Sequence, residues 1–160
     1  METTEGERRA VEALQASGIP HVVVRHGRVS SLAEAAAARG IDPSQVVKTI
    51  VVRRGDDDYL FVLVPGDRTI AWPRLRELLG VNRLSMPDAA TARDVTGYER
   101  GTITPFGSLH PWPVIADARV HGLVSIGAGA HGVSATLEGA ELVRVLGATV
   151  ADVTDPAPEA

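Results

Sequence analysis

The chain has 160 residues, of which 44% are hydrophobic, a formal net charge of -4 and no cysteine. That length fits one domain with a real core, and the missing cysteines exclude disulfides, thiolate metal sites and cysteine nucleophiles. The slight acidity argues against a broad grip on DNA or RNA, which needs many basic contacts, but leaves room for a small contact at one nucleic-acid end.

The N-terminus, METTEGERRAVEAL, has no apolar h-region, so no secretory signal is expected. No apolar run approaches membrane-spanning length, which predicts a cytoplasmic protein with no membrane partner. Glu5 to Ser17 reads as a helix with Val11 and Leu14 on one face and Gly18 as its stop. His21 to Arg25, HVVVR, is a strand by its β-branched content. Ser31 and Glu34 form a capping box for a helix that ends at Gly40. Asp42-Pro43 opens one further turn.

VVKTIVVR, at 46–53, predicts a strand, and GDDD turns it into a partner, YLFVLV, at 59–64. The second strand is apolar on both faces and is expected at the centre of a sheet. Pro73 opens a short helix in which Leu75, Leu78 and Leu79 face inward, and Gly80 closes it. Val81 to Leu84 reads as a short strand, and Ser85 with Pro87 starts a helix closed by Gly97. Further strands are expected at Val114 to Asp117, at Leu123 to Ile126 and around Val133, Ala135 and Leu137. A last helix runs from Glu141 to Leu146, an edge strand lies within 148–153, and residues 155–160, DPAPEA, form a frayed tail after a domain spanning 1–154. Strands come both in adjacent pairs and singly between helices. The expected fold is therefore α/β, a single domain with a mixed, curved, barrel-like sheet and helices packed outside it.

Residues 97–107, GYERGTITPFG, hold three glycines and one proline. Such a segment reads either as a tight connection or as a rigid exposed loop whose main-chain amides face a ligand and hold an oxyanion. GAGAHG at 127–132 matches G-x-G-x-x-G, but a strand pattern follows it, so a glycine turn between strands is expected rather than a dinucleotide site. The histidines at 21, 26, 110, 121 and 131 show no metal-ligand spacing, and no metal or cofactor is expected. Serines 31, 108, 125 and 134 lie in no nucleophile elbow.

Every cation in the chain is arginine except Lys48. On its strand Lys48 shares a face with Val46, Ile50 and Val52, where a charge is costly unless it reaches a pocket or partner. Two readings stand: a compact ammonium serving a tight anionic or ribose contact, or an edge cation snorkelling to water.

SLAEAAAARG, VVKTIVVR, VLVPGDRTI, LRELLGV, TGYERGTITPFG, VSIGAGAHG and LGATVADVT follow one another in that order. This ordered set resembles the YbaK-type aminoacyl-tRNA deacylases, relatives of the editing domain inserted in bacterial prolyl-tRNA synthetases. The resemblance implies a metal-free hydrolase, without cofactor, that clears misacylated tRNA, commonly proline tRNA carrying a small wrong amino acid such as cysteine or alanine. It implies that Lys48, Gly101 and Pro105 are functional residues, the last two as the ends of a G-x-x-x-P element that holds the aminoacyl group. Thr102, Ile103, Thr104, Phe106 and Gly107 belong to the same loop, and Gly127 and Gly129 line the same pocket. His26, Asp117 and His131 are expected near it. The implied partners are the acceptor end of aminoacyl-tRNA and an aminoacyl-tRNA synthetase. A catalytically silent module that binds a tRNA end or a nucleotide is the alternative.

Overall fold

The computed structural model describes residues 4–26 and 31–158; the remaining positions of the expected domain and tail lie outside the described residues. Helix α1, Glu5–Ser17, is capped by the Thr4 side chain, which accepts from the Glu7 amide, and it stops at Gly18 with φ 74°. Strand β1, His21–Arg25, follows. Helix α2, Leu32–Arg39, begins where the Ser31 side chain accepts from the Glu34 amide, and it ends at the left-handed Gly40. A single 3-10 turn, Pro43–Gln45, leads into β2, Val46–Gly55, which folds back as β3, Asp58–Pro65.

The chain then forms β4, Arg68–Ile70; α3, Trp72–Leu79; α4, Ala89–Thr96; β5, Val114–Asp117; β6, Leu123–Gly127; β7, Val133–Glu138; α5, Gly139–Leu146; β8, Thr149–Ala151; and β9, Thr154–Pro156. Seven strands make one mixed sheet in the order β1-β7-β6-β2-β3-β5-β8. The ladder ends at β1 and β8, so its pairing is that of an open sheet. β4 and β9 pair antiparallel as a separate ribbon.

β3 shows why the sheet is buried on both sides. Tyr59, Phe61 and Leu63 pack with Leu14 of α1 and Leu142 of α5. The alternate residues Leu60, Val62 and Val64 pack with Ile70, with Leu75 of α3 and with Val153. Period-two alternation thus sends each half of one strand into a different core.

Four expectations need correction. Leu78 is 43% exposed, because α3 is short and only the Leu75 side of its first turns is covered. α4 starts later than Ser85, at the N-cap Asp88, whose carboxylate accepts from the Thr91 amide. Residues 81–84 form no strand; the contact there is an isolated bridge between Arg53 and Ser85. The tail is not frayed from Asp155, since Thr154 and Asp155 pair with Ile70 and Thr69.

Candidate active site

β2 is the fourth of seven strands and is covered along its length by β3. On its other side the parallel strand β6 pairs only at Val46 and Val47. Beyond Val47 the two strands part, and β6 runs out at Gly127. The gap is a cleft of about 260 Å³ lined by Arg39, Val46, Val47, Lys48, Thr49, Gly101, Ile103 and Gly127. A cleft outside the carboxyl end of a parallel strand is a common place for a ligand.

Lys48 is half-buried on this wall. Its face continues through Ile50 and Val52 into the core beneath α3, and its ammonium donates to the Arg68 carbonyl at 3.0 Å. Burial pushes its pKa below the ordinary value, and the charge of Asp67 works partly against that. At Lys48 the β6 side of β2 is open, but the half-buried ammonium turns to the Arg68 main chain.

Loop 97–107 alternates sharply. Thr102, Thr104 and Phe106 are buried, whereas Gly101 is exposed and Ile103, Pro105 and Gly107 are partly so. The Thr102 hydroxyl donates to the Glu99 carbonyl at 2.7 Å, the Thr104 hydroxyl accepts from the Phe106 amide, and the buried Tyr98 hydroxyl donates to the Phe106 carbonyl at 2.7 Å. Arg9 of α1 completes the brace. It donates to the Gly97 and Gly107 carbonyls at 2.7 and 3.2 Å and lies over the Tyr98 ring, 4.8 Å from its centroid. The loop is thus braced by hydrogen bonds, and three of the side chains expected at the ligand shape it from within. Gly101 takes φ 91°, a left-handed conformation open to glycine. The Thr102 and Phe106 amides are engaged inside the loop. Those of Gly101 and Ile103 make no hydrogen bond among the described residues.

The other expected residues fall in different places. Thr102, Gly129 and His131 line a neighbouring cavity of about 320 Å³ together with Thr4, Gly6, Tyr98 and Glu99. The two cavities adjoin at Gly101: a Cβ built there would sit 3.5 Å from His131 Cε1. The His131 ring nitrogen is 3.6 Å from the Glu99 carboxylate. His26 follows β1 and gives its amide to the Gly132 carbonyl at 2.8 Å; it lines neither cavity. Pro105 and Gly107 do not line the cleft either. Asp117 does not line the cleft: its carboxylate is buried at the end of β5, where it accepts from the Val153 and Arg119 amides and from the Arg119 guanidinium and so anchors the turn that follows. The glycine run 127–132 joins two antiparallel strands with no helix after it, which removes the dinucleotide reading. No group of three His, Cys, Asp or Glu that could hold a metal occurs among the described residues.

A profile of the aminoacyl-tRNA editing domain matches residues 26–145, a span that contains every residue of the Lys48 cleft. The chain belongs to the aminoacyl-tRNA editing domain family. Among similar proteins, the proline–tRNA ligase of Desulforamulus reducens is 35% identical over 98 residues, covering 61% of this chain and 17% of the ligase. That of Bacillus licheniformis is 28% identical over 130 residues, covering 81% of this chain and 21% of the ligase. The chain thus spans about a fifth of the length of these relatives. A crystal structure described as a candidate trans-editing enzyme for prolyl-tRNA synthetase superposes with a TM-score of 0.88 at 26% identity, covering 96% of this chain and 99% of that one.

Two residues of this editing domain had no signal in the sequence. Arg9 is one of two adjacent arginines in α1, and its loop partners lie 88 and 98 positions away. Arg39 reads as an ordinary C-terminal cation of α2. In the editing domain its guanidinium reaches the Ser125 hydroxyl of β6 at 3.2 Å and forms part of the cleft wall. Burial lowers its pKa from the ordinary value. No helix of the described residues is long and apolar enough to cross a membrane.

Proposed function

We propose that this chain is a deacylase that removes the amino acid from misacylated tRNA, acting in trans on the acceptor end. The proposed substrate is proline tRNA carrying cysteine or alanine, a synthetase is the proposed partner, and no metal takes part. The observation that carries this reading is the cleft where β2 and β6 part, which puts Lys48, Gly101, Ile103 and Gly127 of an editing domain around one small volume.

In this reading the aminoacyl ester enters the cleft with its carbonyl toward the free amides of Gly101 and Ile103. Water adds to the carbonyl carbon, and those amides stabilise the oxyanion that develops. Lys48 holds a ribose oxygen of the terminal nucleotide with an ammonium donor not used by the Arg68 carbonyl. Among the described residues the cleft lining has no Asp, Glu or His. A ribose hydroxyl of the substrate therefore helps to orient and deprotonate the water. The acyl–oxygen bond breaks, the ribose oxygen takes the proton, and free amino acid and tRNA leave.

The test is a panel of mischarged tRNAs in single turnover, with and without excess EDTA. Proline tRNA charged with alanine or cysteine should lose its ester at an EDTA-independent rate. Lys48→Ala should lower that rate by about 10- to 100-fold, the effect of one charge-assisted hydrogen bond. Lys48→Arg should be nearly as damaging, since a planar guanidinium does not replace a compact ammonium in a tight cleft. Background hydrolysis across the panel with tight binding of uncharged tRNA would leave a silent binding module instead.

A further inference from the structure

Arg39 stands apart from most arginines of this protein. Arg25, Arg53, Arg54, Arg74, Arg119 and Arg144 each meet a carboxylate. Among the described residues Arg39 has no acidic partner within ion-pair distance. Its guanidinium donates to a neutral hydroxyl, that of the fully buried Ser125, and its Nε is buried without a hydrogen-bond partner. A desolvated cation left without an anion is costly. A hydroxyl satisfies one N–H but neutralises nothing. The guanidinium nevertheless faces the same cleft as Lys48 and Gly127.

We infer that Arg39 is the anion-binding residue of the cleft and receives the phosphodiester immediately 5′ of the nucleotide that bears the amino acid. This rests on the deacylase reading above. The chemistry of that substrate selects the phosphodiester. An aminoacyl ester is neutral at its carbonyl and cationic at its amine. The nearest fixed negative charge is the last internucleotide phosphate. A guanidinium suits phosphate oxygens, to which it can donate two parallel hydrogen bonds. The buried Nε would gain its missing acceptor. Arg39 and Lys48 then divide the work: the permanent cation takes the phosphate, and the smaller, partly desolvated ammonium takes the sugar.

A purely structural role is the competing account, in which Arg39 only ties α2 to β6. A substrate with a neutral methylphosphonate at the last internucleotide linkage separates the two. Wild-type protein and Arg39→Gln are assayed in single turnover on mischarged proline tRNA with the native or the neutral linkage. Binding of an uncharged CCA-ended RNA with either linkage is measured in parallel, with thermal melts as a control. The wild type should lose about 10- to 100-fold in efficiency and affinity on the neutral linkage. Arg39→Gln should lose as much on the native linkage and less than about threefold more on the neutral one. Full wild-type efficiency of Arg39→Gln on the native substrate overturns the inference, and so do losses that simply multiply. If Arg39→Gln does not fold, Arg39→Lys replaces it, and indifference of the wild type to the linkage is itself sufficient refutation. A wild type that hydrolyses yet ignores the linkage refutes the role of Arg39 alone. One that binds the native end more tightly but hydrolyses nothing refutes the deacylase reading alone. Neither hydrolysis nor binding refutes both.

Discussion

Gly101 and Gly129 offer a paired perturbation whose magnitudes come from the backbone. Both take positive φ, 91° and 84°. An alanine at either position carries the strain of an L-residue in left-handed space, about 1–2 kcal/mol. Space separates them. At Gly101 the nearest non-neighbouring atom to a new Cβ is His131 Cε1 at 3.5 Å, an ordinary contact. At Gly129 the new Cβ would sit 2.3 Å from the Gly6 carbonyl oxygen and 3.0 Å from the Tyr98 ring, so main chain must move. Overpacking adds about 1–3 kcal/mol. Gly101→Ala should therefore cost roughly 1–2 kcal/mol and Gly129→Ala roughly 2–5 kcal/mol. For a chain of this size the milder change lowers Tm by about 2–8 °C. Urea unfolding of the three proteins measures both costs, and single-turnover deacylation follows each variant below its melting range. Gly101→Ala should lose far more activity than stability, because Gly101 borders the cleft. If Gly129→Ala unfolds no more easily than Gly101→Ala, the close approach of α1 to the glycine turn is wrong. If Gly101→Ala keeps wild-type rates, the loop is a connection and not part of the site.

Gly127→Ala should fold normally, since its φ is not left-handed and its Cβ would meet Ile103 and Thr102 atoms at 3.5 Å or more, yet it narrows the cleft; discrimination between alanyl and larger esters should shift by about 10- to 200-fold per methylene. Unchanged relative rates on alanyl and cysteinyl esters would show that the acyl group lies elsewhere. Burial lowers the Lys48 pKa from its ordinary 10.5, so between the lowered value and 10.5 the unfolded chain holds a proton that the folded chain has lost. Stability contributed by this group must then rise with pH across that window, and Lys48→Met should flatten the rise; identical pH profiles of urea stability for both proteins would contradict it. Arg9→Met keeps the stem of the side chain but removes both carbonyl bonds, and should cost of order 2–4 kcal/mol with faster amide exchange at 97–107. An unaltered exchange pattern there would mean that Arg9 does not brace the loop.

Much of the fold was readable because its punctuation is glycine. The expected helix stops Gly18, Gly40, Gly80, Gly97 and Gly147 all take left-handed φ after a helix. β3 was readable as central because both of its faces are apolar. The β4–β9 ribbon was not, since three-residue strands give no periodicity and their pairing spans most of the chain. Within the site, Lys48 stands out by composition, a lone lysine among β-branched neighbours. Arg39 does not, because its environment is supplied by Ser125, 86 positions away. Asp117 is a different case. An acid that ends a strand has the look of a functional group, but a local turn and the Val153 amide absorb its hydrogen-bonding capacity.

The brace from Arg9 bears on how this domain can be excised or transplanted. The stretch that carries the family likeness starts at residue 26, after α1, and includes all of the cleft lining. A fragment cut to that stretch would retain Arg39, Lys48, Gly101, Ile103 and Gly127, but leave the Gly97 and Gly107 carbonyls without their donor and the Tyr98 ring without its cation. Removal of α1 would also strip Leu14 from the larger core and uncover Gly129. The smallest unit that keeps the glycine loop in shape therefore begins at α1, and grafts of this domain onto another protein should carry that helix with them.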